Sequence, residues 1–416
     1  MKSMKVAAAV TALGFAALKA AAAYDATATV HVGGSLMQAQ KDKASGDTAY
    51  SWLSNAPKQQ KDDDGIEIDF DAGLCGAHLA LWYTSALSSV EDGWAAYFRR
   101  TYVWFKPVDS VTIRAGYVGT DSFFKEEIDS WKVGSPFALL ERDWVKHPAY
   151  INCSDVDGWG FGVEFQPLEQ LVCNAGIAPG GKDYAAASDS AASVTYTTGD
   201  EKPWVAPWGA GVKYYWRDFE FQASYRDGGR TTDGKNNPTW SVARFGAGYT
   251  GESIYAFVQP ILGFDYNGSK DKTELNGLCI DLYGEYSLDA WKFFLHAPVT
   301  LRFGDADADV HYLEWVAKAQ YNFGSFGNLD DVTPYLKCGS NWDDGAWGKA
   351  YTRAWLLDSD SFKRSLNVSG ALGVGFTVGA CEVDVSVQYD RFSQYHKANY
   401  GKDWNVSVPF SMKVSF

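Results

Sequence analysis

Six histidines, His31, His78, His147, His296, His311 and His396, are the side chains of this 416-residue chain best suited to acid–base or metal chemistry, yet they are scattered without metal-ligand spacing. No His-Glu-x-x-His, phosphate loop or nucleophile elbow accompanies them. The run Gly304-Asp305-Ala306-Asp307-Ala308-Asp309 sets three carboxylates at alternate positions, as a divalent cation would want, but the rest of a calcium loop is missing and a solvated turn is the better reading. A membrane-embedded lipase would need Ser and His on the apolar side of neighbouring segments, and His78 and His296 both fall on the wet side. No enzyme, metal or cofactor is expected. Cys75, Cys153, Cys173, Cys279, Cys338 and Cys381 are dispersed, and Cys173, Cys338 and Cys381 sit on apolar faces as small hydrophobes. No disulfide framework is implied, although the even count permits Cys153 to find a partner.

The remaining chemistry is charge, and its placement reveals the elements that carry it. Trp404, Val406, Val408, Phe410, Met412, Val414 and Phe416 alternate with Asn405, Ser407, Pro409, Ser411, Lys413 and Ser415. The same period of two runs through Ile66 to Leu74, Leu313 to Phe323 and Val383 to Tyr389. A strand puts successive side chains on opposite faces, so these segments have one apolar face and one wet face. With 17 Trp, 24 Tyr, 24 Phe and 41 Gly, about a quarter of the chain is aromatic or glycine. Mean hydropathy is nevertheless −0.25. Beyond the N-terminus no run approaches the ~18 apolar residues of a membrane helix.

Repeated alternating segments of about ten residues are the pattern of a transmembrane β-barrel, because lipid cannot satisfy backbone amides and a spanning sheet must close on itself. Eighteen candidate strands can be placed between residues 25 and 416, with sixteen as the alternative count. Short connections at Cys75-Gly76, 106–108, Pro167, Arg217-Asp218, Thr250-Gly251, Leu288-Asp289, 325–330 and Gly379 fall at one end. The long ones, 38–64, 120–156, 179–206 and 342–363, fall at the other. The expected fold is therefore all-β: a single closed antiparallel barrel over 24–416 with long external loops and short periplasmic turns. The adjacent Arg99-Arg100 pair cannot face inward together in a regular strand, which implies a bulge or an arginine reaching toward the interface.

Residues 1–23 have the form of a secretory leader: a charged Met-Lys-Ser-Met-Lys start, an apolar stretch from Val6 to Leu18, and an Ala-rich site ending at Ala23. Losing Lys2, Lys5 and Lys19 with it moves the formal charge from −14 to −17. So acidic a chain is a poor match for nucleic acid. Free thiols in an exported chain would suit a source lacking strong periplasmic oxidation.

From Tyr24 to Phe416 the chain resembles an outer-membrane porin of a diderm bacterium, above all in its final amphipathic strand closing on Phe416. The resemblance implies that Phe416 is part of the signal read by the barrel-assembly machinery. It also implies outer-membrane lipid and small polar solutes as partners, and allows a homotrimer. Eighteen strands place the chain nearer the substrate-specific porins than the sixteen-stranded general ones. In porins the third external loop, here 120–156, folds into the lumen. It holds Asp121, Glu126, Glu127 and Asp129 among its acids, and the short acidic signature of the general porins is not found in it.

On the wet faces, Arg114, Arg226, Arg244, Arg302, Lys318 and Glu314 are the candidates for pore lining and constriction, and Trp82, Tyr255, Phe257 and Phe294 are candidates to stack on sugar rings or to pack against an inward loop. A lumen carrying both signs of charge must be wet, and barrels of this size leave an aqueous channel. Passive diffusion of ions and small hydrophilic solutes, sugars among them, is the function this implies, with a mild cation preference. The alternatives are a fatty-acid-channel-like transporter, which needs an N-terminal hatch where this chain begins its first strand, and a structural or adhesive surface barrel. N-terminal sequencing of the exported protein is expected to begin at Tyr24; recovery of Met1 would refute the leader.

Overall fold

The computed structural model describes residues 25–42, 44–54, 65–83, 96–118, 158–181, 208–227, 240–267, 272–302, 310–343, 366–392 and 402–416. The leader and the loop 120–156 lie outside these. The described residues form twenty strand segments: β1 (Asp25–Asp42), β2 (Thr48–Ser54), β3 (Gly65–Asp71), β4 (Cys75–Tyr83), β5 (Ala96–Val108), β6 (Val111–Val118), β7 (Gly158–Leu168), β8 (Leu171–Gly181), β9 (Trp208–Trp216) and β10 (Phe219–Asp227). They continue with β11 (Trp240–Thr250), β12 (Ile254–Asn267), β13 (Lys272–Leu288), β14 (Trp291–His296), β15 (Val299–Arg302), β16 (Val310–Tyr321), β17 (Asp330–Asp343), β18 (Leu366–Val378), β19 (Cys381–Arg391) and β20 (Lys402–Ser415).

Twenty segments make an eighteen-stranded barrel because two strands are interrupted. β14 and β15 both pair with β13 and β16 in one unbroken register, and the gap between them holds Pro298, which has no N–H to give the ladder. On one edge of β1, residues 25–31 pair with β3 and residues 35–41 pair with β2. The other edge of β1 pairs with β20 from Thr29 to Asp42 and closes the sheet. The pairing is antiparallel throughout, and each barrel strand neighbours the next in sequence. The expected loop 38–64 is thus corrected at its start: Gln38 to Asp42 and Thr48 to Ser54 form a hairpin, and residues 55–64 lie outside the described set.

The short connections share one end with Asp25 and Phe416, and several are shifted from their expected places. The hairpin expected at Cys75-Gly76 exists, but its turn is Ala72 to Leu74, and Gly76 is already paired with Asp71. β5 runs through Lys106 to Val108 and turns at Asp109-Ser110, while β7 runs through Pro167 and turns at Glu169-Gln170. Three two-residue turns begin with a positive φ, at Arg217 (54°), Asp289 (52°) and Gly379 (58°). This is the handedness that lets a tight hairpin follow the strand twist. The bulge implied by Arg99-Arg100 is present, since the β4–β5 register slips between His78↔Tyr102 and Ala80↔Arg99.

The outer face is apolar: Phe161, Leu336, Leu372 and Val387 are each more than half exposed. Close to the short turns it becomes aromatic, with Trp216 and Phe219 6.1 Å apart, Trp291 and Tyr321 5.0 Å apart, and Tyr321 and Phe323 4.7 Å apart. This is the belt that seats a barrel at the membrane interface. On the inner face of the closing seam, Asp390 is fully buried. It accepts hydrogen bonds from Ser369 Oγ (2.6 Å), Gln388 Nε2 (3.0 Å) and Asn405 Nδ2 (3.0 Å), and Asn405 Oδ1 accepts from Gln38 Nε2 (3.1 Å). One network therefore ties β18, β19, β20 and β1 together across the joint of first and last strands. Asp390→Ala leaves three buried donors without their acceptor and is expected to cost about 3 kcal/mol, read as a lower urea midpoint at unchanged slope. Ser369→Ala should cost less, about 1 kcal/mol.

Candidate functional site: the lumen girdle

The alternation that turns apolar side chains outward directs polar ones into the lumen, and a few residues above the short turns they meet in a belt. Its first arc crosses β3 to β7. Asp69 Oδ1 lies 2.7 Å from His78 Nδ1, the two being direct partners in the β3–β4 hairpin. His78 stacks on Tyr102 (5.3 Å, 24°), the Arg114 guanidinium sits 5.9 Å over the same ring, and Arg114 Nη2 reaches Glu164 Oε2 at 3.8 Å.

A second arc crosses β10 to β19. Tyr255 donates to Glu220 Oε1 (2.7 Å) and Tyr283 donates to Glu285 Oε1 (2.6 Å). Lys292 Nζ lies 2.6 Å from Glu285 Oε2 and 5.0 Å over the Phe294 ring. From the other side Lys318 Nζ stands 5.7 Å over Phe294 and 4.4 Å over Tyr335, whose hydroxyl donates to Asp384 Oδ1 (2.8 Å). His296 Nε2 is 2.5 Å from Asp281 Oδ1. Between and beyond the arcs Lys213 lies 5.9 Å over Tyr215, and Lys413 is 3.7 Å from Glu382. Carboxylate, ring and cation thus alternate along the wall, the cations held over ring faces by attraction to the aromatic quadrupole.

Glycines explain why these rings lie along the wall. A Cβ on Gly373 would come 2.3 Å from Tyr335 Cζ, and one on Gly246 or Gly248 would come 2.6 or 2.8 Å from the Phe257 ring. Each ring therefore occupies the space a neighbouring side chain would have taken and is pressed flat against the sheet. A concavity of ≈ 490 Å³ opens beside this belt, lined by His31, Lys318, Thr333, Tyr335, Asp384 and Lys413, among others.

The expected pore residues separate into groups. Arg114 and Lys318 belong to the girdle. Arg226 and Arg244, on adjacent strands, are 1% and 4% exposed, on the same inward row as Glu220 and Ser224. Of the proposed stacking residues, Tyr255 is half-buried, whereas Phe257 and Phe294 are buried in a cluster with Tyr283 and Val316. Arg302, Glu314 and Trp82 fall in β15, β16 and β4, and their side chains lie outside the described set, as do Asp121, Glu126, Glu127 and Asp129 altogether. Phe416 closes the barrel: its N–H donates to Ala28 O (2.8 Å) and its carbonyl accepts from Ala28 N–H (3.2 Å). Cys75, Cys173, Cys338 and Cys381 are free thiols. Sequence reasoning put the histidines on the wet face but did not pair them with their carboxylates; the hairpin arithmetic around the 72–74 turn would have joined Asp69 to His78.

No family model and no curated protein matches the chain. Solved structures do. OccAB4 of Acinetobacter baumannii aligns over 94% of this chain and 98% of its own, with a TM-score of 0.54 at 10% identity. OpdO of Pseudomonas aeruginosa aligns over 94% and 97%, with a TM-score of 0.52 at 12% identity. OccK11 (OpdR) of the same organism aligns over 94% and 96%, with a TM-score of 0.50 at 11% identity. These are substrate-specific outer-membrane porins of eighteen strands. The chain has the porin fold. At such identities the likeness lies in the architecture, and the lining of this barrel is its own. Gly373→Val is expected to destabilise the barrel by about 1–3 kcal/mol through overpacking against Tyr335, and Tyr335→Ala in the same chain should recover most of the lost urea midpoint.

Proposed function

We propose that the protein is a passive outer-membrane channel for ions and small hydrophilic solutes. The observation that carries this reading is the closed eighteen-stranded wall, apolar outside and lined inside by both signs of charge. Fixed charges of both signs need water around them, and a barrel of this circumference has room for it. Among the described residues nothing resembles an apolar conduit for long-chain lipids, since the inner face carries ion pairs where such a ligand would slide.

The third external loop, 120–156, folds inward and narrows the upper lumen. In support, Arg226 and Arg244 are almost completely buried on the inner wall. Side chains so covered on a lumen face have something packed over them, and Asp121, Glu126, Glu127 and Asp129 of that loop carry the charge that complements a guanidinium. Sugars are among the solutes such a lumen admits, with Tyr255 rather than the covered Phe257 and Phe294 offering a ring.

Planar-bilayer recording of the purified protein is expected to show sustained ohmic steps, with a reversal potential in a salt gradient that favours cations. A silent bilayer containing folded, heat-modifiable protein would favour a structural barrel instead. Arg226→Ala with Arg244→Ala should raise the step conductance by freeing the loop, and an unchanged conductance would count against its docking there.

A further inference from the structure

On the lipid face of the closing seam, Arg391 of β19, Trp404 of β20 and Lys41 of β1 are direct register partners and form one row. Their outward direction follows from alternation, because the adjacent row of Asp390, Asn405 and Gln40 belongs to the lumen side, where Asn405 donates to Asp390. Trp404 lies ten residues from Val414, about 33 Å along the strand. At the usual barrel tilt this is about 25 Å of height, the full apolar band of an outer-membrane barrel. The row therefore sits at the external interface, opposite the end that holds Phe416 and the short turns.

One step toward the membrane centre, the register partners are Tyr389, Val406, Ala39 and Tyr50. Rings stand at the two ends of this second row and smaller side chains lie between them. Tyr389 and Tyr50 are 48% and 68% exposed, whereas Ala39 is only 5% exposed. The surface is thus an apolar trough over β20 and β1, with walls on β19 and β2 about 14 Å apart at the backbone. Trp52, also largely exposed, extends the β2 wall.

Among the described residues neither Lys41 nor Arg391 has an ion-pair partner. Of the carboxylates next to them in sequence, Asp390 is held in the lumen-side network, and Asp42 accepts from the N–H groups of Ala44 (2.9 Å) and Ser45 (3.1 Å) in its own turn. Lysine and arginine at this depth lay their stems on apolar surface and present their charge to the headgroup layer. Two such cations beside an indole, above an apolar trough, complement a molecule with an anionic head and a hydrocarbon tail. The trough is continuous with the face that already meets the bilayer, so such a molecule reaches it from the membrane itself.

We propose that this patch is a binding site for an anionic, phosphate-bearing lipid of the external leaflet, its phosphate held between Lys41 and Arg391 and an acyl chain lying along Ala39 and Val406. The inference rests on the membrane-spanning wall and is independent of conduction.

The test is native mass spectrometry of the purified, folded protein released from non-ionic detergent micelles doped with diphosphoryl lipid A, with net-neutral phosphatidylcholine, or with inorganic phosphate alone. The unaltered protein is expected to retain the diphosphoryl lipid about ten-fold better than phosphatidylcholine, since each basic side chain near a lipid headgroup favours the anionic one. Lys41→Gln with Arg391→Gln should abolish that preference. Each single charge variant should lose about three-fold, so the test survives poor folding of the double variant. Ala39→Phe fills the trough, leaves both cations, and should weaken retention of the diphosphoryl lipid. Equal retention of the two lipids by the unaltered protein overturns the proposal, as does a double variant that keeps the preference. Displacement of the diphosphoryl lipid by millimolar inorganic phosphate would mark a site for a free anion and overturn it equally.

Discussion

Lipid offers no partner to a peptide N–H or C=O, and the rest of this molecule follows from that constraint. A sheet that crosses the bilayer must leave no open edge, so the first strand has to find the last. Here it does so along the whole β1–β20 ladder, ending in the mutual bonds of Ala28 and Phe416. The joint is reinforced by the buried Asp390, whose three donors come from β18, β19 and β20. Closure also fixes which face is which, and so decides that every second residue addresses water while its neighbours address lipid.

Within the lumen the same economy governs packing. Side chains there have no core to enter, yet they must not obstruct the axis, and the solution is lateral. Tyr335 lies on Gly373, Phe257 lies on Gly246 and Gly248, and ammoniums lie on ring faces. Aromatic, cation and carboxylate are each satisfied by the next strand over, so the belt stiffens the wall without crossing it. The two His–Asp pairs are part of this belt.

Much of the architecture was legible in the residues. Strict alternation, as in Trp404 to Phe416, marks both the strand and its outward face, and eighteen such segments recur in the barrel. The Arg99-Arg100 pair announced its bulge because two adjacent charges cannot share one face of a regular strand. Turn positions were less legible. Cys75-Gly76 has turn-like composition, but the chain reverses two residues earlier, where Gly73 takes a φ of 80°. A hairpin turned at 75–76 would have set Asp69 opposite Trp82, so this displacement hid the Asp69–His78 pair. Phe257 and Phe294 had the composition of a sugar platform, and whether a ring is open or covered depends on what the neighbouring strand lacks.

The sequence by itself determined the period and the sidedness and favoured eighteen strands over sixteen, because each of these is written in residues that are neighbours along the chain. Register, and with it every contact between strands, was decided by the closed sheet. Pairing joins residues far apart in the chain, and a shift of a single residue in one turn reassigns all the partners beyond it. The strand alternation alone could say that His78, Asp69, His296 and Asp281 face water. Only the assembled wall brings each histidine to its carboxylate.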